Sequence, residues 1–330
     1  MSGMTIVKAR TYAEAGQLAR GGKYSLPIIK ANGLDVLDHL KEGLIEPDAL
    51  VSIRGLQSDA GPVIRLDGQR LRIDASATLA QIGASELIRA NAPALADAAM
   101  NTAAPQVRNV ATIGGNLLQR PRCWYYRNIQ FDCLKKGGAR CFAVDGENKF
   151  HAIFGDGPCY IVHPSTMAPA LMTMNATAHL VGGSRTEIRL TDLFYGPDRG
   201  GIRAEHTLEP GEIITHITCD AAPHSGFAAV KEKQSFDWPL AFAAASVTIK
   251  ANKIAGANIC AGAVAPTPWP LPKVSRALEG VAIDDIESIT RACDRAIIGA
   301  EPMTDNAYKL KLLPVVVRRA VLAAASRGDT

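Results

Sequence analysis

The sequence predicts a mixed α+β chain in two parts, an α/β unit first and an antiparallel α+β unit last. In the first ~55 residues, short apolar strands alternate with helical segments, the pattern of a small α/β unit. Residues 62–75, "PVIRLDGQRLRIDA", alternate around Asp67-Gly68, a strong hairpin signal. From about Thr215 the chain reads as a run of strands and then a run of helices, which marks a separate α+β unit.

The elements follow in order. "YAEAGQLARG" is a helix that stops at Gly21-Gly22, "SLPIIKA" a short strand, "NGLD" a turn, "VLDHLKEG" a helix and "DALVSI" another strand. After the hairpin, "ATLAQIGASELIRANAP" has Thr78 and Gln81 at capping-box spacing, with Leu79, Ile82 and Leu87 on one helical face, and Pro93 ends or kinks that helix. In "HPSTMAPALMTMNA", Ser165 or Thr166 caps a helix with a Met/Leu core face. "FAAASVTIKANKIAGANICAGAV" is an antiparallel meander turning near Asn252-Lys253, and "DDIESITRACDRAI" and "VVVRRAVLAAA" are helices. No internal repeat is visible.

Composition narrows the function. With 47% apolar and 21% charged residues, the 330-residue chain can bury a large core of about two domains. A net charge of +4 without a Lys/Arg block argues against nucleic acid as a partner. No apolar run approaches 18 residues, since "LLPVVVRRAVLAAA" is broken by Pro314, Arg318 and Arg319, so no membrane span is expected. The start shows no export signal, which makes the cytoplasm the default expectation and the periplasm possible if a partner subunit is exported with it. No G-x-S-x-G elbow, H-E-x-x-H pair or Walker loop supports hydrolase or nucleotide-triphosphate chemistry.

Two glycine turns suit an anion. "KANGLD" (Lys30 to Asp35) lies between a strand and a helix, and "ATIGGN" (Ala111 to Asn116) opens another helix; backbone amides in such turns can point at a phosphate. Neither is a G-x-G-x-x-G, and each is equally a plain connection.

The cysteines are more specific. Cys123, Cys133, Cys141 and Cys159 leave nine, seven and seventeen residues between successive members, too irregular for the paired C-x-x-C of zinc ribbons. Four such thiolates can hold a cubane iron–sulfur cluster or zinc, and buried free thiols are the plain alternative. Arg120, Arg122, Arg127, Lys135, Lys136 and Arg140 surround them, and cations of that kind favour thiolates. Cys219, Cys260 and Cys293 are read as packing residues.

Several stretches together carry a family resemblance. "LPIIKANGLDVLDHLKEG", "VRNVATIGGNLLQR", "HPSTMAPAL", "LEPGEIIT", "KEKQSFDWP", "GAVAPTPW" and "NAYKLKLLPVVVRRAV" run through essentially the whole chain. On them the chain resembles the FAD-binding (medium) subunit of the xanthine dehydrogenase and molybdenum hydroxylase family. The stretch from "RCWYY" to "GPC" is similar to the insert of a narrower group. That group includes the β subunit of 4-hydroxybenzoyl-CoA reductase and the flavin subunit of periplasmic bacterial aldehyde oxidoreductase, which carry an extra [4Fe-4S] cluster on four cysteines.

The resemblance implies a fold, cofactors and partners. Residues 1–220 would form an FAD-binding domain of the vanillyl-alcohol oxidase-like type, with subdomains of about 1–58 and 59–220 and the iron–sulfur insert at about 119–160. Residues 221–330 would form an α+β domain similar to the C-terminal domain of CO dehydrogenase flavoprotein. FAD would be held by Ile29, Lys30, Ala31, Asn32, Gly33, Leu34 and Asp35, by Ala111, Thr112, Ile113, Gly114, Gly115 and Asn116, and by Thr166, Ile214 and Lys231. The cluster would be held by Cys123, Cys133, Cys141 and Cys159, with Trp124, Tyr125 and Tyr126 shielding it. Three positions depart from the family pattern: Asn32 stands where a glycine is usual, Leu34 where a hydroxyl residue is usual, and Thr166 where a carboxylate is usual.

The implied role is electron transfer with no catalytic nucleophile in this chain. A molybdenum-cofactor large subunit would oxidise the substrate, a small subunit with [2Fe-2S] clusters would relay electrons in a heterotrimer, and FAD here would pass them to an external acceptor. The rival readings are a stand-alone flavin oxidase and a non-redox assembly subunit that has lost FAD.

Overall fold

The computed structural model describes residues 3–197, 202–233 and 236–327. Three sheets organise it. The first contains β1 (Thr5–Lys8), β2 (Pro27–Lys30) and β3 (Ala49–Ser52) in the order β1-β3-β2, all parallel. Parallel neighbours need crossovers, and α1 (Tyr12–Ala19) and α2 (Leu34–Lys41) supply them. Thr11 caps α1 by accepting from the Glu14 amide.

The second sheet is antiparallel, in the order β4-β5-β8-β6-β7. Its strands are β4 (Ile64–Asp67), β5 (Arg70–Asp74), β6 (Thr177–Val181), β7 (Glu187–Arg189) and β8 (Ile213–Asp220). The expected hairpin is present, but Asp67 pairs with Arg70, so the two-residue loop is Gly68-Gln69, one position later than the Asp-Gly signal suggested. The β8 strand, read from sequence as the start of the last unit, belongs to this sheet because its register is with β5 and β6.

Small helices cover this sheet. They are α3 (Leu79–Ala84), α4 (Glu86–Asn91), α5 (Pro93–Asn101), α6 (Pro105–Arg108) and α7 (Ile113–Leu117). Thr78 and Gln81 form the expected capping box. The single helix expected across 78–92 is broken at Ser85, whose hydroxyl caps α4, and Pro93 begins α5 at its first position, where its missing N–H costs nothing. Side chains from α3, α5, α7 and β8 share one apolar core with Met167 and Leu171.

Residues 119–160 leave this framework as an irregular insert containing α8 (Trp124–Arg127) and one turn of 3₁₀ helix at Leu134–Lys136. After it come α9 (Met167–Met172) and α10 (Leu190–Leu193). The third sheet is β9 (Ser225–Lys231), β10 (Pro239–Lys250), β11 (Lys253–Gly262) and β12 (Trp269–Pro270), antiparallel in sequential order. Ala251 and Asn252, both at positive φ, make the β10–β11 turn. The helices α11 (Pro272–Leu278) and α13 (Lys309–Ala325) pack their apolar faces on this sheet, and α12 (Ile286–Cys293) packs against those two helices.

The insert is fixed on the third unit by buried polar contacts. Val264 accepts from the amides of Ile153 and Phe154, and Asn306 donates to the carbonyls of His151 and Ala152. Lys309, 1% exposed, donates to the carbonyls of Phe150, His151 and Ala263. Among the described residues no helix is long and apolar enough to cross a membrane.

Candidate functional site

The first turn begins where β2 ends. Lys30 closes the strand, Ala31 to Gly33 make the turn, and α2 starts at Leu34. Gly33 has φ +92°, and a Cβ there would stand 2.9 Å from Lys30 Cε and 3.2 Å from Leu37 Cδ1. Glycine is therefore favoured by conformation, while a side chain here would also have to push the flexible end of Lys30 aside. Among the described residues no carbonyl or side chain accepts from the amides of Asn32, Gly33, Leu34 and Asp35, which leaves them as donors for an anion. Ile29 lies within β2, one residue before Lys30.

The second turn is closed upon the protein. Thr112 caps α7, taking the Gly115 amide at 3.2 Å, while Ile113 donates to Ala77, Gly114 to Ala75 at 3.0 Å and Asn116 to Thr112. The expectation that both turns offer a set of amides is corrected here, because those of residues 113–116 already have protein acceptors. What this turn offers is proximity and the exposed backbone of Gly115, while Gly114 is buried against Ala75, whose Cβ a side chain would meet at 3.1 Å. Asn32 Nδ2 donates to Val110 O at 2.8 Å, next to Ala111, which draws the two turns together.

The remaining expected flavin contacts lie along one seam. Ser165 Oγ donates to Asn116 Oδ1 at 2.7 Å, Thr166 Oγ1 bonds Thr102 Oγ1, and Lys231 Nζ donates to Asn101 O at 2.8 Å. Thr166 holds the N-cap position of α9 without a capping bond from its side chain, and Ser165 supplies the acceptor, taking the Ala168 amide. Ile214 sits in the large apolar core beside Thr215, whose carbonyl takes the Ala75 amide. In "KEKQSFDWP", Gln234 and Ser235 lie outside the described residues.

Cys123, Cys133, Cys141 and Cys159 line one small cavity, together with Tyr125, Tyr126, Leu134, Lys135, Phe142, His151 and Ile161. Cys133 and Cys159 are buried, and Cys123 and Cys141 half-buried. No carboxylate lines it. Burial pushes the Cys123 thiol up to about 11, and Cys123 Sγ lies 3.2 Å from His151 Nε2. The Cys141 and Cys159 thiols act on each other, so that Cys141 is shifted down towards the thiolate while Cys159, raised also by burial, is shifted up and keeps the proton. Among the described residues no three His, Cys, Asp or Glu side chains converge closely enough to share a single metal ion. The other three cysteines are buried apart from these, as expected of packing residues.

The cations around the cysteines behave differently from the sequence reading. Arg122 and Arg127 pair with Asp35, Arg127 also with Asp38 and Glu42, and Arg120 and Lys135 with Glu205. Arg140 lies over the Phe142 ring and Lys136 donates to the carbonyls of Tyr125 and Asn128. Apart from the exposed Arg140, these cations are matched by carboxylates and carbonyls, because an unpaired guanidinium against a half-buried segment would lose its hydration. Lys135 alone of the six lines the cavity. The expected shield is partly seen: Tyr125 and Tyr126 are cavity walls, whereas Trp124 packs edge-on against Phe150 and His151.

Two features escaped the sequence. Asp35, expected to face a cofactor, has its carboxylate occupied by the Arg120 amide and two arginines of the insert. His163 is buried with Nδ1 accepting from the Ser165 amide and Nε2 unpartnered against Phe194. The only signal for either was position: Asp35 and His39 are four apart on a helix, and His163 precedes a proline.

Comparison with known proteins gives the family and the fold. Residues 2–219 match the family described as FAD binding domain in molybdopterin dehydrogenase, and residues 226–324 the CO dehydrogenase flavoprotein C-terminal domain. The aldehyde oxidoreductase FAD-binding subunit of Escherichia coli is 31% identical over 322 residues, covering 94% of this chain and 95% of that protein. The carbon monoxide dehydrogenase medium chain of Afipia carboxidovorans is 27% identical, covering 94% and 92%. Among solved structures, reconstituted CO dehydrogenase from Oligotropha carboxidovorans superposes with a TM-score of 0.74 at 22% identity, covering 98% of each chain.

Proposed function

The chain belongs to the family of FAD-binding subunits of molybdenum-containing hydroxylases, and we propose that it is the flavin-carrying electron-transfer subunit of such a complex, with an additional [4Fe-4S] cluster. The observation that carries the flavin part is the first turn: four amides with no acceptor among the described residues, around a glycine in the left-handed conformation, drawn against the second turn by Asn32. These residues fit a pyrophosphate. FAD, when bound, supplies a carrier that takes electrons singly and gives them up in pairs.

This chain's residues bind and orient. The amides of Asn32 to Asp35 would hold the pyrophosphate, and the exposed Gly115 would let it approach the second turn. Leu34, 44% exposed, adds no hydroxyl donor, so the backbone does that work alone. Thr102, Thr166 and Lys231 line the route along which the flavin end would lie. Lys231 would add positive charge there, although burial lowers its own proton affinity.

For the cluster, Cys123, Cys133, Cys141 and Cys159 are the proposed ligands. Four thiols around one cavity with no carboxylate in its lining are the donor set such a cluster takes, and the likeness of the insert to the cluster-bearing group is what favours it over zinc. Such a cluster supplies a one-electron store, and Tyr125 and Tyr126 would keep water from it.

The partners follow from the family. A large subunit with the molybdenum cofactor would hold the substrate site, a small subunit with [2Fe-2S] clusters would deliver electrons, and an external acceptor would receive them. The division near residue 220 would separate the flavin-binding part from the C-terminal part. The test is flavin release from the purified chain: about one FAD per chain supports the reading, and a chain that neither retains nor takes up FAD, even within its complex, overturns it.

A further inference from the structure

Helix α2 touches both proposed sites. At its start, the Asp35 carboxylate accepts from the Arg120 amide at 2.8 Å, from Arg122 Nη1, and from Arg127 Nη2 at 3.0 Å. All three donors belong to residues 120–127, the segment that carries Cys123. One turn further on, His39 is 3% exposed; its Nδ1 lies 2.8 Å from Asp35 O and its Nε2 3.0 Å from the Tyr126 hydroxyl. A carbonyl only accepts, so Nδ1 carries the proton, Nε2 is the acceptor and Tyr126 is the donor. Tyr126 is a wall of the cysteine cavity, and the guanidinium groups of Arg120 and Arg127 lie 5.1 and 5.9 Å from its ring centre.

The helix therefore begins in the turn with the free amides and is bonded along its length to the cysteine segment. The link is stiff for a physical reason. Asp35 and His39 are largely enclosed, their polar atoms are matched, and displacing α2 would strand a carboxylate, a guanidinium and an imidazole together. An anion that orders residues 31–35 also fixes the helix that positions Tyr126.

We propose that α2 couples the two sites: through Asp35 and His39, occupancy of the first turn by FAD and closure of the cysteine cavity around its cluster reinforce each other. The coupling rests on the flavin and cluster reading above. Linkage makes it reciprocal, so the factor by which the cluster tightens FAD equals the factor by which FAD tightens the cluster.

The test combines hydrogen exchange of the full chain with FAD titrations before and after iron is removed by chelation. In the wild-type chain FAD is expected to slow exchange at residues 31–36 and also at 120–127. Iron removal is expected to weaken FAD binding about fivefold or more. In Asp35→Asn and in His39→Leu, protection at 31–36 should remain, that at 120–127 should disappear, and the effect of iron removal should shrink to less than about twofold. His39→Leu keeps the Asp35 ion pairs and serves where Asp35→Asn does not fold. Protection confined to 31–36 in the wild type, or an FAD affinity indifferent to iron, overturns the coupling alone. A wild-type chain without protection at 31–36, or without iron, contradicts the functional reading and removes the coupling with it.

Discussion

Ser165 donates its hydroxyl to Asn116 Oδ1 across 2.7 Å, and both side chains are buried. The bond joins the second glycine turn to the start of α9, and the same hydroxyl accepts the Ala168 amide. Ser165→Ala would leave a buried amide oxygen and a helix N–H unpaired, which costs about 1–3 kcal/mol. Denaturant unfolding should show that loss, and FAD titration should show weaker binding as Asn116 loses its anchor.

Gly33→Val should weaken FAD binding more than it weakens the fold. A left-handed conformation costs a non-glycine residue about 1–2 kcal/mol, and the new side chain would also press on Lys30 and Leu37. The affinity should fall about tenfold or more, at about 1.4 kcal/mol per tenfold. Isothermal titration with FAD checks this, and an unchanged affinity would remove the first turn from the site.

Acid should destabilise the chain below about pH 6.5, the ordinary histidine value. Burial, with His206 and Lys135 nearby, pushes His163 down to about 3, and burial with His179 stacked on it pushes His216 down to about 4. Both are neutral in the fold and take up protons when unfolded, so their stabilisation is complete above the unfolded value and is lost as pH falls towards the folded one. For the fully buried His163 the slope is about 1.4 kcal/mol per pH unit. His163→Met should flatten the decline in a stability profile between pH 7 and 5; an equally steep profile would show that His163 is not its source.

Cys133→Ser should lower iron content and alter the visible spectrum, whereas Cys260→Ser, buried in the third sheet, should leave both unchanged. Iron analysis of the two variants side by side separates a ligand from a packing thiol. Equal iron in both would withdraw Cys133 from the ligand set.

Local rules made much of this architecture readable. The Thr78/Gln81 box, the hairpin before it and the β10–β11 turn are settled by residues a few positions apart; the box forms as expected, and each turn lies one residue from its expected place. The break at Ser85 and the start of α5 at Pro93 were harder, because a proline after a helix reads alike whether it ends one helix or begins the next. The four cysteines could be grouped by sequence, but their cations could not be assigned. Arg122 and Arg127 are drawn to Asp35 and Asp38, more than 80 residues away in sequence, and no spacing rule reaches that far. The same limit hid the role of Asp35, which lies in a phosphate-type turn yet turns its carboxylate to the insert.

The most direct test of the central claim is an anaerobic visible spectrum of the purified chain, with iron, acid-labile sulfide, zinc and released flavin quantified on the same sample. The account predicts flavin bands above a broad iron–sulfur shoulder, with about four irons, four sulfides and one FAD per chain. A colourless sample holding zinc or no metal, and reproduced in the intact complex, would contradict it.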